Sequence, residues 1–261
     1  MKFKFSLLWV SLVGFLLFTC SDTSEVDPPA ENTQINVDTE QNDDETNEET
    51  NEEEINTSGN SAIKILSLGD SYTIGTNVCG TCRFPVQLKD RLKLRVESAN
   101  GIQLKIIARS GWTTTSLINA INSDNPSNDY NLVTLLIGVN NQYQDKPFSL
   151  YEKEFPLLVN TAITKAKSDK NKVIVVSIPD YAYTPFGKGD LSISEDIDEY
   201  NDFAKNYCSQ RNITYVNITD ITRQGLNNPA LVAFDGLHPS ELAYSKFVDK
   251  ILPLALNKLK N

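Results

Sequence analysis

A chain of 261 residues with 34 Asp or Glu, 24 Lys or Arg and a single His carries a formal net charge of −10. That charge is local: residues 21–60 hold 14 acidic and no basic side chains, and beyond them, with Lys2 and Lys4 set aside, 20 acids face 22 bases. A near-neutral remainder has no basic face to displace phosphate counterions, which excludes nucleic acid as a partner.

Met1–Lys4 form a short basic start, and residues 5–18 an apolar run below the roughly 20 residues of a membrane-spanning helix, so residues 1–20 read as a signal peptide. Leu17-Phe18-Thr19-Cys20 resembles the box at which bacterial lipoproteins are cleaved and lipidated. The expected location is therefore extracytoplasmic, anchored through Cys20 to the periplasmic face of a bacterial membrane or at the cell surface, with no other membrane contact. Residues 21–60 are mostly Glu, Asp, Asn and Thr and bury too little apolar surface to offset the entropy of ordering. They are expected to form a disordered, charge-extended linker ahead of one folded domain at 61–261.

Within that domain apolar runs alternate with amphipathic stretches. The expected strands are 63–68, 104–108, 132–137, 173–178 and 213–218. The expected helices are 84–96, 116–121 and 150–167, a segment with Ile197, Tyr200, Ala204 and Cys208 on one face, and 241–260. A long loop is expected over 180–195. This order predicts an α/β doubly wound parallel sheet, whose ligands sit beyond the carboxyl ends of the strands.

The chemistry-bearing residues fall at those ends. Gly69-Asp70-Ser71 follows the first strand and places a hydroxyl in a sharp turn. A Ser hydroxyl is nearly inert at neutral pH without a base, and the only imidazole is His238, in Asp235-Gly236-Leu237-His238-Pro239 ahead of the last helix. A carboxylate three residues earlier is suited to fix the tautomer and stabilise the imidazolium, which makes Ser71, His238 and Asp235 the candidate catalytic residues. Gly111 after the second strand and Asn140 after the third supply donors which, with the Ser71 N–H, suit an oxyanion hole. Asp70 reads as a turn residue. Cys79 and Cys82 are expected to close a small disulfide beside the nucleophile loop, since a zinc site lacks two further ligands at any recognisable spacing and no thioredoxin-like setting surrounds them. Cys208 reads as a small core residue. Trp112 stands at the pocket edge, and Tyr181, Tyr183 and Phe186 of the long loop are expected to line an acyl or sugar pocket.

Gly-Asp-Ser, a Gly after strand two, Gly-x-Asn after strand three and Asp-x-x-His near the end resemble, in order, the sequence blocks of the SGNH (GDSL-type) serine hydrolases. The resemblance spans residues 69–239. It implies a three-layer, flavodoxin-like five-stranded sheet of order 2-1-3-4-5 with helices on both faces. It also implies Ser71 as nucleophile, Gly111 and Asn140 as oxyanion donors, His238 as base and Asp235 as its partner. Members cleave carboxylic esters of small molecules, glycans or lipids without metal or cofactor. A lysophospholipase or thioesterase, and a non-catalytic surface binding module on the same fold, are the alternatives; the oligomeric state stays open.

Overall fold

The computed structural model describes residues 62–98 and 100–260, together with the backbone of Ile55 and Asn56. The expected signal peptide, the lipidation at Cys20 and all but that short stretch of the linker lie outside the described residues. The Ile55–Asn56 backbone pairs in parallel with Val96–Glu97.

Five strands form one parallel sheet: β1 (Ile63–Gly69), β2 (Ile102–Ala108), β3 (Leu132–Leu136), β4 (Val173–Val176) and β5 (Thr214–Val216). Their order is β2-β1-β3-β4-β5. All residues of β3 and β4 are buried, which is why their sequences are apolar or small without alternation. Gly69 pairs with Ala108 on one side and Leu136 on the other, so the carboxyl ends of β1, β2 and β3 are level. The segments that follow them emerge along a single edge.

The helices, in chain order, are α1 (Ser71–Ile74), α2 (Phe84–Lys93), α3 (Thr114–Asp124), α4 (Val139–Tyr143), α5 (Phe148–Lys165), α6 (Leu191–Gln210), α7 (Thr219–Thr222) and α8 (Glu241–Leu259). Crossovers between parallel strands are right-handed, so the reversal of winding at β1 puts α2 and α3 on opposite faces. The packing agrees: α2 lies against α8, while α3 packs on α5 and α5 on α6. Fully buried Leu88, Leu92, Phe247 and Ile251 sit on the first pair, Leu117, Phe155 and Leu158 on the second group. Each such side chain contributes about 1.5–3 kcal/mol of hydrophobic stabilisation. No described helix is long and apolar enough to cross a membrane.

Most boundaries differ from expectation by a few residues, and two of the differences have a distinct physical cause. Helix α2 stops at Lys93, and Val96, expected on its apolar face, is buried instead as part of a two-residue strand. The turn through Leu94, which stands 80% exposed, makes that change of direction. The long loop ends at Asp190, not Glu195. Asp190 caps α6 by accepting from Ser192 N at 3.0 Å, so a polar Leu-Ser-Ile-Ser-Glu stretch without a clear apolar period is already helical.

Candidate active site

The turn after β1 is built by close contact. A Cβ on Gly69 would lie 2.1 Å from Thr73 Oγ1 and 2.4 Å from the Leu136 carbonyl oxygen, so only glycine lets α1 start against β3. Asp70 caps that helix, its Oδ1 accepting from Tyr72 N at 3.0 Å. Ser71 is thereby fixed as the first residue of α1, and its side chain is almost fully covered. Asp70 is entirely buried, and its Oδ2 has no hydrogen-bond partner. Burial raises its carboxyl to about 7 against the opposing pull of the Tyr72 N–H and of the Asn140 amide, which lies near without making a bond of full geometry.

On the opposite side the chain turns at Gly236, φ 71°. Asp235 Oδ1 accepts from the backbone N–H groups of Leu237 and His238, each at 3.0 Å. Its Oδ2 meets His238 Nδ1 at 2.6 Å and also accepts from Asn77 Nδ2. Partial burial pushes the Asp235 carboxyl up, but the donors from His238, Leu237 and Asn77 outweigh it and hold the group below its ordinary value. The His238 ring lies 5.2 Å, centroid to centroid, from the ring of Tyr72, the residue after Ser71. The Ser71 hydroxyl and the imidazole form no hydrogen bond in this conformation. Ala233 N bonds His238 O at 2.7 Å, and Ser240 caps α8 directly behind, so the histidine has a firm mount.

The third group sits between these. Gly111 has φ 80° with open space where a Cβ would be, so its backbone angle, not crowding, calls for glycine. Asn140 lies in α4 behind Gly138, and its buried Nδ2 lies near the Asp70 carboxyl without a hydrogen bond of full geometry among the described residues. No turn, cap or side-chain hydrogen bond among the described residues uses the N–H of Ser71 or of Gly111. The two donor loops are clamped together: Gln144 Nε2 donates to Gly111 O at 2.8 Å, and the Asn141 amide bonds Thr114 N at 2.9 Å and Thr114 Oγ1 at 2.7 Å. Glu154 of α5 accepts from the hydroxyls of Thr114 and Thr115 behind them.

A model of the GDSL-like lipase/acylhydrolase family matches residues 67–246, which takes in all three groups. The chain belongs to that family. GDSL-like lipases and acylhydrolases are ester hydrolases, which sets the class of reaction. No curated protein matches the chain. Similar solved structures include a lipolytic protein of the G-D-S-L family from Veillonella parvula, at 20% identity and TM-score 0.57, covering 74% of this chain and 97% of that one. A variant of the acetyl xylan esterase Axe2 from Geobacillus stearothermophilus has 20% identity and TM-score 0.56, covering 75% and 95%. A GDSL-like lipase from Bacteroides thetaiotaomicron has 19% identity and TM-score 0.54, covering 74% and 88%. At these identities the likeness is one of fold. The four-letter string that names the GDSL family ends in Leu, whereas this chain has Tyr72 there, the ring that faces His238.

The aromatic residues expected at the pocket of this GDSL protein are placed unequally. Tyr181 is buried and donates to Gln142 Oε1 at 2.8 Å; its ring stands 6.0 Å from Tyr143 and 6.2 Å from Phe186. Tyr143 and Phe186 leave about half their surface open, so the exposed cluster pairs Phe186 with Tyr143, while Tyr183 lies outside it. Trp112 is half-buried against the core. Asp180, fully buried, secures the segment by accepting from Ala182 N, Ser194 Oγ and Arg223 Nε. A partly open slot is lined by Tyr72, Tyr181, Thr184, Leu237 and His238, so of the expected pocket aromatics Tyr181 is the one that reaches the side of the histidine. Cys79 and Cys82 are joined by a disulfide, and Cys208 is buried and free. No described group of three or more His, Cys, Asp or Glu is arranged to hold a metal. The sequence reading missed Asn77 and Gln144 in turns and Asn141 within the short α4, polar residues with no local signal to separate them from turn formers.

Proposed function

We propose that the chain is a serine hydrolase of O-acyl esters in which Ser71, His238 and Asp235 form the catalytic triad. The observation that carries this reading is the Asp235–His238 pair. Both carboxylate oxygens are engaged, and Nδ1 is taken at 2.6 Å, which leaves Nε2 as the nitrogen that serves the nucleophile. Ser71 Oγ bonds to the ester carbonyl carbon as its proton passes to His238 Nε2. The N–H groups of Ser71 and Gly111 and the Asn140 amide receive the oxyanion, a role supported for the two N–H groups by the absence of another hydrogen bond to them among the described residues. Collapse of the tetrahedral intermediate breaks the ester C–O bond, and the leaving alcohol takes the proton. Water then attacks the acyl-enzyme with His238 again as base, releasing the carboxylic acid and restoring Ser71.

The substrate class this reading favours is an acylated glycan or lipid. Axe2, an acetyl xylan esterase on the same fold, puts acetylated sugars first in a panel that also includes short-chain esters, lysophospholipids and thioesters. In the full chain, Ser71→Ala and His238→Ala are expected to lower the rate on the best ester by about 10³-fold or more with an unchanged thermal melt. A fluorophosphonate probe is expected to label the wild type and not Ser71→Ala. Wild-type turnover by either variant would refute the assignment, and absence of both labelling and turnover in the wild type would favour a binding module.

A further inference from the structure

We infer that Asn77 is a positioning residue for the Asp235–His238 pair, aimed from across the site by a disulfide-closed loop. The inference rests on the triad reading and deepens it. Among the described residues Asp235 receives four hydrogen bonds, and three of them arise inside its own turn, from Leu237 N, His238 N and His238 Nδ1. The fourth comes from Asn77, 158 positions away, and it lands on Oδ2, the oxygen that faces the imidazole. It is therefore the one donor to this carboxylate that the turn cannot supply for itself.

The loop that carries Asn77 is braced at both ends and in its middle. Gly75, φ 77°, ends α1, and a Cβ there would lie 2.5 Å from Arg83 Cβ. Arg83 closes the base of the loop by donating to Ile74 O at 3.1 Å and to Gly80 O at 2.9 Å. Cys79 and Cys82 cross-link the outer turn. Asn77 itself holds φ 64°, a left-handed angle that Asn tolerates better than most residues. Its neighbour Thr76 shares a hydrogen bond with Ser110, next to Gly111, so two successive side chains bridge the oxyanion side and the acid-base side. Gln87 then bonds Glu241 O at the head of α8, tying the same region to the helix behind His238.

A donor placed on Oδ2 has two physical effects. It fixes the bearing of the oxygen that orients the imidazole, and it shares the negative charge that would otherwise act on the imidazolium alone. Removing it leaves the carboxylate less well aimed and the imidazolium held more tightly. The other groups facing Asp235 do not obscure this. The phenols of Tyr72 on α1 and Tyr244 on α8 are kept neutral by burial, and Arg83, the cation of the loop, is spent on backbone carbonyls. Asp70 beneath titrates in wild type and variants alike, so the informative quantity is the difference between profiles.

The test compares full-chain wild type, Asn77→Ala, Asn77→Asp and Ser71→Ala on one ester, with a thermal melt for each. Asn77→Ala is expected to lower kcat by roughly tenfold, the scale of groups that orient an active histidine from behind, with KM within about twofold. The acid limb of kcat/KM is expected to move to higher pH, and further in Asn77→Asp, which sets a second carboxylate against Oδ2. An unmoved acid limb in both variants, or a loss carried by KM, overturns the inference. The near-isosteric Asn77→Asp keeps the test open should the alanine variant melt early. A dead Ser71→Ala beside unaffected Asn77 variants sinks this inference alone, whereas an active Ser71→Ala sinks the triad reading beneath it.

Discussion

The oxyanion side and the acid-base side of the site are held in place by different physics. On the first, Gly69 is pressed against β3, Asn141 is fully buried, and its amide, Thr114 and Glu154 form a chain of hydrogen bonds reaching into α5. On the second, Asp235 and His238 keep part of their side chains open, Phe234 beside them is 87% exposed, and the apolar hold on the turn is limited to the partly buried Leu237 and the buried Pro239. Its position comes from contacts across the surface: Phe186 N to Gly236 O at 2.9 Å, Ala233 N to His238 O, and Asn77 to Asp235. The contrast teaches that damage to the first side is expected to register as lost stability, and damage to the second as lost alignment in a protein that still folds.

The sharpest way to break that contrast is at Gly69. A methyl group there meets a backbone oxygen that cannot move without shifting β3, so Gly69→Ala is expected to cost about 3 kcal/mol, roughly 10 °C in Tm for a domain of this size. A thermal melt checks it, and an unchanged Tm would show the buried side to be softer than argued. Asp70 gives a smaller effect with a defined pH window. Its folded value, about 7, lies above the ordinary 3.8, so the folded state binds the extra proton between those values and Asp70 weakens folding progressively as pH rises through them. Asn keeps the cap on α1 but carries no titrating proton. The Tm difference between Asp70→Asn and wild type should therefore move in the variant's favour from pH 4 to pH 7 and level off above. A flat difference would mean that Asp70 is not a buried acid with a raised pKa.

The same contrast separates what the amino-acid pattern revealed from what it hid. The five strands and the residues at their carboxyl ends were legible because apolar runs and the Gly-Asp-Ser, Gly-x-Asn and Asp-x-x-His strings are local features, whereas the strand order followed only from the family resemblance that those strings carry. Helices α1, α4 and α7 were not, since four or five residues hold too little of a helical period to register. The start of α6 was hidden for a related reason: Asp190 caps it ahead of its first buried apolar position, Ile197. The braces of the site were out of reach. Asn77 and Asp235, or Gln144 and Gly111, are partners only after the sheet has set its register, and nothing near Asn77 in the chain distinguishes it from any turn-forming Asn.

The smallest expected change in stability carries the most specific information about the acid-base side. Cys79 and Cys82 enclose only two residues, so their cross-link removes little entropy from the unfolded chain, less than the ~3 kcal/mol of a 15-residue loop. Replacing both by Ser should lower Tm by only a few degrees. If the cross-link serves to aim Asn77, the double replacement should also reduce kcat and shift the acid limb of kcat/KM in the same direction as Asn77→Ala, by less. Combining the two changes should then add nothing to the loss from Asn77→Ala alone, because both act through one hydrogen bond. Additive losses would instead mean that the disulfide supports the site by a route that does not pass through Asn77. The bracing of Asp235 would then be distributed over the loop rather than concentrated in a single amide.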